Sequence, residues 1–305
     1  NSILAEHPYL LIIVQGIQYG YNLEGVALNP VKLSVPNKVV YSIHEYSNDL
    51  FEHASFNDPT FPNNLRDIWN KKFGFIVLNQ IAPLYIGEFG TSFQFQSDMP
   101  WLTTWLSYIE GEYLEDGESY LPPGHLGLSW TYQQIAPYGP VGGILSGDWQ
   151  TVHSVKVGLL KPSMAPMFPF VDPHVKFIPP KNVTSVVPQP TVKPTFAPSR
   201  HIFEYFHTSG NQIVNVDGTP VRLAGVNWLG FESYGNIGQG LWARNYKSLL
   251  NQMKEIGFNS MRIPYSNEMI REGAQVTGVD YYLNPDLVGL TPLECLDVMV
   301  EYLGS

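Results

Sequence analysis

The chain has 305 residues, which corresponds to one large domain or two small ones at about 150 residues per domain. Hydrophobic residues make up 44% and aromatic residues 13%, so there is enough apolar material for a buried core. The formal charge of −10 argues against a nucleic-acid partner, which needs a basic surface. No apolar run reaches the roughly 18 residues of a membrane span. The single cysteine, Cys295, excludes an intrachain disulfide framework and a Cys-based zinc site.

The two ends of the sequence predict that it is a fragment. Residue 1 is Asn rather than Met, and no charged segment followed by an apolar signal segment comes after it. The last residues, 300–305, contain no helix stop other than Gly304. We therefore expect a longer parent protein, with both flanks missing here.

A proline-rich stretch divides the chain. Ten prolines occur in the 39 residues from 162 to 200, and proline at this density prevents helix and sheet from propagating. The stretch is typical of an extended linker in a secreted protein. It includes Asn182-Val183-Thr184, which is either an N-glycosylation acceptor or a chance match.

On both sides of this linker, strand patterns alternate with helix patterns. The run at 10–14 is continuously apolar, which is typical of a strand covered on both faces. Asp217-Gly218 predicts a hairpin, and Gly257 suits a helix end. Such alternation predicts parallel βα units, in a doubly wound sheet or a (β/α)8 barrel. The predicted strands are 10–14, 39–46, 83–90, 126–130, 221–228 and 260–265, and the predicted helices are 65–76, 101–109 and 249–256.

Polar residues at the carboxyl ends of these strands are candidates for catalysis, because barrel enzymes place their active sites there. Glu88 ends an apolar strand between two glycines; the alternative is a solvated acid at a strand end. His44 and Tyr46 are two residues apart, so they face the same side of their strand. The alternative for this pair is a hydrogen bond within the barrel wall.

Three further positions stand out in the remaining strands. Arg262 interrupts an apolar strand, and an inward guanidinium needs a carboxylate partner. Asn227 and Trp228 end the strand before it. Trp130 offers a flat ring for stacking on a sugar, although a tryptophan of the core is nearly as good an interpretation.

The segments "VYSIHEYSNDLFEHASF", "APLYIGEFGTS" and "GGILSGDWQTV" resemble the second half of the catalytic domain of family 5 glycoside hydrolases, the endo-β-1,4-glucanases. After the linker, "VRLAGVNWLGFE", "GLWARNYKSLL" and "GFNSMRIPYSNEMI" resemble the first part of the same domain. The resemblance covers about 1–161 and 205–304. It implies an α/β fold, a (β/α)8 barrel, present as incomplete pieces: the family's strands 5 to 8, then its strands 1 and 2.

This order predicts a tandem protein. Residues 1–161 would be the C-terminal half of one glycosidase barrel, 162–200 the linker, and 201–305 the N-terminal part of a second barrel. A circular permutation is the alternative, since the termini of compact domains often lie close together.

The resemblance also implies roles for the candidate residues. Glu88 matches the nucleophile, His44 and Tyr46 match the pair beside it, and Arg262 matches the arginine that keeps the nucleophile ionised. Asn227 and Trp228 match the motif after the first strand, and Trp130, with Tyr132 as a rival, would bind sugar. These residues predict a secreted endo-1,4-β-glucanase that acts on β-glucan polysaccharide by a retaining mechanism. No cofactor, metal, nucleic acid or membrane is expected.

Three departures from the family pattern put catalysis by this chain in doubt. The Asn-Glu-Pro motif that carries the family's acid/base glutamate does not occur, and the Asn267-Glu268-Met269 sequence follows the wrong strand and lacks the proline. Gln15 replaces a glutamate after strand 5, and 129–134 replaces a tryptophan-rich motif. We expect an Asn-Glu-Pro in the parent, on each side of this fragment. The alternative is a glucan-binding pseudoenzyme or scaffold without activity.

Overall fold

The computed structural model describes residues 2–50, 53–112, 119–168 and 205–304. Most of the predicted linker, including Asn182-Val183-Thr184, lies outside the described residues. The described part contains nine strands: β1 (Ile12–Gln15), β2 (Val39–Tyr46), β3 (Leu84–Gly90), β4 (Ser129–Tyr132), β5 (His207–Ser209), β6 (Gln212–Val214), β7 (Pro220–Val221), β8 (Ala224–Asn227) and β9 (Ser260–Arg262).

Seven α-helices accompany these strands in the described residues: α1 (Ser2–Glu6), α2 (Leu65–Trp69), α3 (Phe75–Leu78), α4 (Asp98–Glu110), α5 (Ser154–Leu160), α6 (Tyr246–Ile256) and α7 (Pro292–Leu303). A π-helical segment, Asn70–Gly74, joins α2 to α3, so the helix predicted over 65–76 is continuous but irregular. The ends of α6 follow from its sequence. Asn245 caps the first turn by accepting hydrogen bonds from two backbone amides, and Gly257 ends the helix at φ 116°.

Six strands form one parallel sheet in the order β1-β2-β3-β4-β8-β9. Each new strand of this sheet is added on the same side of the one before it in the chain. A doubly wound sheet would reverse direction partway, whereas a (β/α) barrel adds its strands in one direction. The fold is therefore an incomplete (β/α) barrel, as the sequence predicts.

The sheet unites the segments on the two sides of the linker. β4 pairs with β8 in parallel, with Trp130 opposite Ala224 and Tyr132 opposite Val226. The two segments that the sequence assigns to different barrels thus contribute to one sheet here. Whether they come from two tandem copies stays a prediction.

The predicted hairpin at Asp217-Gly218 is confirmed. It joins β6 to β7, and with β5 these strands form a small antiparallel sheet. The hairpin packs against the amino ends of the parallel strands, where Ile213 contacts Val40 and Tyr85 in a small apolar cluster. This small sheet lies at the end of the barrel away from the carboxyl ends of the strands.

The prediction for the first strand is wrong in one respect. In β1 the burial alternates along the strand, and Ile13 is 47% exposed. β1 is an edge strand that pairs only with β2 among the described residues, so one of its faces lacks the cover that a central strand has. Its continuous apolar run therefore does not reflect burial on both faces.

The second strand carries a buried carboxyl group that faces the helix layer. Glu45 lies between His44 and Tyr46 in β2, and its side chain points to the opposite face of the sheet. It is 4% exposed, and Trp69 Nε1 donates a hydrogen bond to its Oε1 at 3.0 Å. Burial raises the pKa of Glu45 to about 8, although the bond from Trp69 opposes this rise.

We predict that Glu45 makes folding stability fall as pH rises from about 4.5 to about 8. Over this range the carboxyl ionises in the unfolded chain but stays protonated in the folded one. Ionisation therefore lowers the free energy of the unfolded state relative to the folded state. The variant Glu45→Gln should remove this slope, as measured by urea unfolding at pH 5 and pH 8. The exposed Glu255→Gln is the control, and an unchanged slope in Glu45→Gln would contradict the prediction.

Candidate active site

The carboxyl ends of four strands bring the candidate residues together. In the pairing of β2 with β3, His44 lies opposite Glu88, next to a register shift at Ile43. In the pairing of β8 with β9, Asn227 lies opposite Arg262. Parallel strands end on the same side of a barrel, and these side chains therefore converge there.

Glu88 is the centre of this group. The Tyr46 hydroxyl donates to Glu88 Oε2 at 2.6 Å, and Arg262 Nη1 donates to Oε1 at 2.9 Å. His44 Nδ1 lies 3.4 Å from Oε2. The side chain of Glu88 is 20% exposed, so a carboxylate held from three sides remains open to a ligand. The structure thus brings together the four predicted catalytic residues, whose roles remain predictions.

The surroundings set the charge state of the two groups that flank this carboxylate. Burial, and then the negative charge of Glu88, raise the pKa of Tyr46 far above its usual range, so the phenol remains a donor. Burial lowers the pKa of His44, and the nearby Glu88 opposes this less strongly. His44 is therefore neutral at neutral pH, and the positive charge beside the carboxylate is that of Arg262.

The glycines around Glu88 allow this close approach. A Cβ at Gly87 would lie 2.7 Å from Ser42 Oγ and 3.1 Å from His44 Nε2, and a Cβ at Gly20 would lie 2.8 Å from the His44 ring. Any side chain at these positions would displace the imidazole. The absence of a side chain at Gly87 and Gly20 thus leaves room for the His44 ring beside Glu88.

The predicted sugar platforms are corrected by the structure. Trp130 and Trp228 are 0% exposed, and so is the rival Tyr132. Trp130 Nε1 donates to the Ser163 carbonyl at 3.2 Å, and Trp228 Nε1 donates to the Gln239 carbonyl at 2.9 Å. A ring with no exposed face cannot stack on a sugar, so the core interpretation is the correct one for Trp130.

Asn227 is also corrected, from a substrate contact to a link between strands. It is 0% exposed. Its Nδ2 donates to the Gly87 carbonyl at 3.1 Å and to Gln133 Oε1 at 2.6 Å. This amide connects β8 to β3 directly beside Glu88, and it thereby helps to fix the position of the carboxylate.

Two exposed aromatic rings on the same side of the barrel were not predicted. Trp242 is 48% exposed and Tyr138 is 56% exposed, in the loops that follow β8 and β4. Both rings contact the buried Trp149 edge-on, at centroid distances of 5.2 Å and 5.9 Å. The only sequence signal for Trp242 was its place in the "GLWARNY" segment, and the sequence alone does not distinguish an exposed tryptophan from a buried one.

Among the described residues, the polar contacts of Glu88 include no second carboxylate. In the described part of the chain, the polar contacts of Glu88 are a phenol, a guanidinium and an imidazole. The same residues include no group of three or more His, Cys, Asp or Glu that could hold a metal ion. None of the described helices has the length and apolar character needed to cross a membrane.

The structure thus combines an incomplete (β/α) barrel with a carboxylate that tyrosine and arginine hold at its strand ends. A sequence model described as "Cellulase (glycosyl hydrolase family 5)" matches residues 1–117. This part of the chain contains His44, Tyr46 and Glu88, and it is similar to that family.

The curated relatives are endoglucanases. The chain is 38% identical over 179 residues to "Endoglucanase" of Paenibacillus polymyxa, an alignment that covers 55% of this chain and 42% of the relative. It is 41% identical over 103 residues to the "Major extracellular endoglucanase" of Xanthomonas campestris pv. campestris, which covers 34% of this chain and 21% of the relative. The chain thus spans less than half the length of these relatives.

Among solved structures, the chain is similar to a cellotetraose complex of the endocellulase from Pyrococcus horikoshii. The two are 30% identical with a TM-score of 0.44, over 53% of this chain and 45% of that one. The catalytic domain of the Xanthomonas campestris endoglucanase is similar at 29% identity and a TM-score of 0.43, over 52% and 46% of the two chains.

Proposed function

We propose that the protein to which this chain belongs hydrolyses internal β-1,4-glucosidic bonds in cellulose or a related β-glucan, by a retaining double displacement. The observation that carries this proposal is the carboxylate of Glu88, held by Tyr46 and Arg262 and still open to a ligand. The endoglucanase relatives support the same class of substrate. The name of one of them also supports a secreted protein.

In this mechanism Glu88 is the nucleophile. Its carboxylate attacks the anomeric carbon and displaces the leaving sugar oxygen, which takes a proton from a general acid. Water then attacks the glycosyl ester, gives its proton to the same acid/base group and releases Glu88 as a carboxylate. Arg262 and the Tyr46 phenol hold the Glu88 carboxylate in position for attack through their hydrogen bonds to it.

The general acid is unassigned, and we infer that its carboxyl lies about 5–5.5 Å from that of Glu88 in the active protein, as retention requires. The lack of an Asn-Glu-Pro motif in this sequence supports a separate source for it, namely a further part of the parent protein. Without an acid, hydrolysis of an ordinary glycoside would be about 10²–10⁴-fold slower.

The glucan would lie on the side of the barrel where the strands end. We infer that Trp242 and Tyr138 stack on sugar units, because their rings are exposed on that side and are held in place by the buried Trp149. A second candidate function is glucan binding without hydrolysis, which the lack of a second carboxylate among the described contacts of Glu88 favours.

Two substrates separate these candidates. Carboxymethyl cellulose needs protonation of its leaving group, whereas 2,4-dinitrophenyl β-cellobioside releases a phenolate that needs no acid. We predict a burst of dinitrophenol from this chain followed by slow turnover, because the missing acid/base group is also the base that activates water in the second step. The product should retain the β-configuration by NMR, and hydrolysis of the polysaccharide should be weak or absent. Binding of cellotetraose without turnover of either substrate would favour the non-catalytic function.

A further inference from the structure

The carboxylate of Asp49 joins the two loops that continue the strands of Tyr46 and Glu88. It lies in the loop after β2, and it accepts hydrogen bonds from Ser47 Oγ at 2.7 Å, from the Ser92 amide at 2.6 Å and from Ser92 Oγ at 2.5 Å. Ser92 lies two residues beyond the end of β3. Both carboxylate oxygens therefore bind the neighbouring loop.

The two loops have a second link next to the first. Ser47 Oγ lies 3.0 Å from Thr91 Oγ1, and both residues are 0% exposed. Ser47 directly follows Tyr46, and Thr91 follows Glu88 by three residues. The carboxyl ends of β2 and β3 are thus held together just beyond the two residues whose own hydrogen bond measures 2.6 Å.

A buried cation lies in the field of Asp49. Lys156 is 3% exposed, and its ammonium donates to the carbonyls of Val141 and Gly142, each at 3.0 Å. Burial lowers the pKa of Lys156 to about 8, and the negative charges of Asp49 and Asp98 oppose this. The Lys156 ammonium therefore interacts electrostatically with the Asp49 carboxylate.

We propose that Asp49 is a positioning residue for the Tyr46–Glu88 pair. The Asp49 carboxylate sets the separation of the ends of β2 and β3, and it thereby holds the Tyr46 hydroxyl within hydrogen-bond distance of the Glu88 carboxylate. Asp49 touches neither Glu88 nor Tyr46, so it acts through the backbone. This inference rests on the proposed function. A misplacement of about 1 Å in a reacting group costs about 10²-fold in rate, so the effect of such a link is measurable.

The test uses the full chain with 2,4-dinitrophenyl β-cellobioside, on Asp49→Ala, Asp49→Asn and Ser92→Ala. The matched control is Asp58→Ala, because the exposed Asp58 lies in the same loop and also accepts hydrogen bonds, but both come from Thr60 within its own turn. Thermal unfolding of each variant establishes that it is folded. If Asp49→Ala does not fold, Asp49→Asn and Ser92→Ala decide the outcome.

We expect Asp49→Ala to lower kcat by roughly 10- to 100-fold with KM changed less than about two-fold. Asp49→Asn keeps one acceptor oxygen and should recover part of kcat. Asp58→Ala should behave as the unchanged protein does.

The outcomes separate this inference from the function on which it rests. An unchanged kcat in folded Asp49 variants, with turnover that still depends on Glu88, would overturn the positioning role and leave the function intact. Turnover equal in the unchanged chain and in Glu88→Gln would overturn the proposed function, and the role of Asp49 with it.

Discussion

Replacement of Glu88 by glutamine is expected to reduce turnover of 2,4-dinitrophenyl β-cellobioside by several orders of magnitude. Glutamine keeps the shape of the side chain, but it has neither the negative charge nor the nucleophilic oxygen that forms the glycosyl ester. Binding of cellotetraose should persist, because the exposed rings of Trp242 and Tyr138 are unaffected. Steady-state kinetics and calorimetric titration measure the two effects separately.

Variants of neighbouring residues indicate whether Glu88 itself reacts. His44→Ala and Arg262→Ala should reduce turnover less than Glu88→Gln does, because these residues position or tune the carboxylate without forming the bond. The exposed Glu112→Gln is the control. Turnover by Glu88→Gln close to that of the unchanged chain would mean that Glu88 is a structural acid.

The strand-end residues could be predicted from sequence because their positions follow from local rules. Side chains two residues apart in a strand share a face, so His44 and Tyr46 could be grouped without a structure. A charged residue in an apolar strand needs a partner of opposite charge, and Arg262 has that partner in Glu88. The resemblance to a known family joined these local signals into one site.

The sugar platform could not be predicted in the same way. Trp130 and Trp242 are the same residue type, and which of them reaches solvent depends on the layers above and below each one. All four residues of β4 are buried, because the strand is covered on both faces, so alternation carries no information there. The exposed Trp242 lies in a loop, where no periodicity applies.

The pairing of β4 with β8 could not be predicted from the sequence either. Both strands were predicted, but which strands pair depends on tertiary contacts between residues more than 90 positions apart, with a proline-rich stretch between them. The exposure of Ile13 could not be predicted for the same reason, because an apolar sequence does not show whether another element packs on each face of β1.

The segments before and after the proline-rich stretch depend on each other for stability. Beyond the strand pairing, Arg222 Nη1 donates to Glu110 Oε2 at 2.8 Å and its Nε donates to the Leu128 carbonyl at 2.9 Å, so it bridges the segments with a side chain that is 7% exposed. The ring of Trp130 also contacts that of Phe258 edge-on, with centroids 6.2 Å apart. Separation of the two segments would leave the Arg222 guanidinium without its partners and would expose the Trp130 and Phe258 rings to water.

We therefore predict that residues 1–168 and residues 205–305, expressed separately, each lose cooperative thermal unfolding, as followed by tryptophan fluorescence. Each piece would expose an unpaired edge strand, and the first would also expose the core around Trp130. Mixing the two pieces should restore one cooperative transition, because the β4–β8 contact does not involve the linker. As a control, a protease site introduced between 169 and 200 and cut in the folded chain should leave the transition nearly unchanged. A cooperative transition in either piece alone would show that the shared sheet is not what stabilises it.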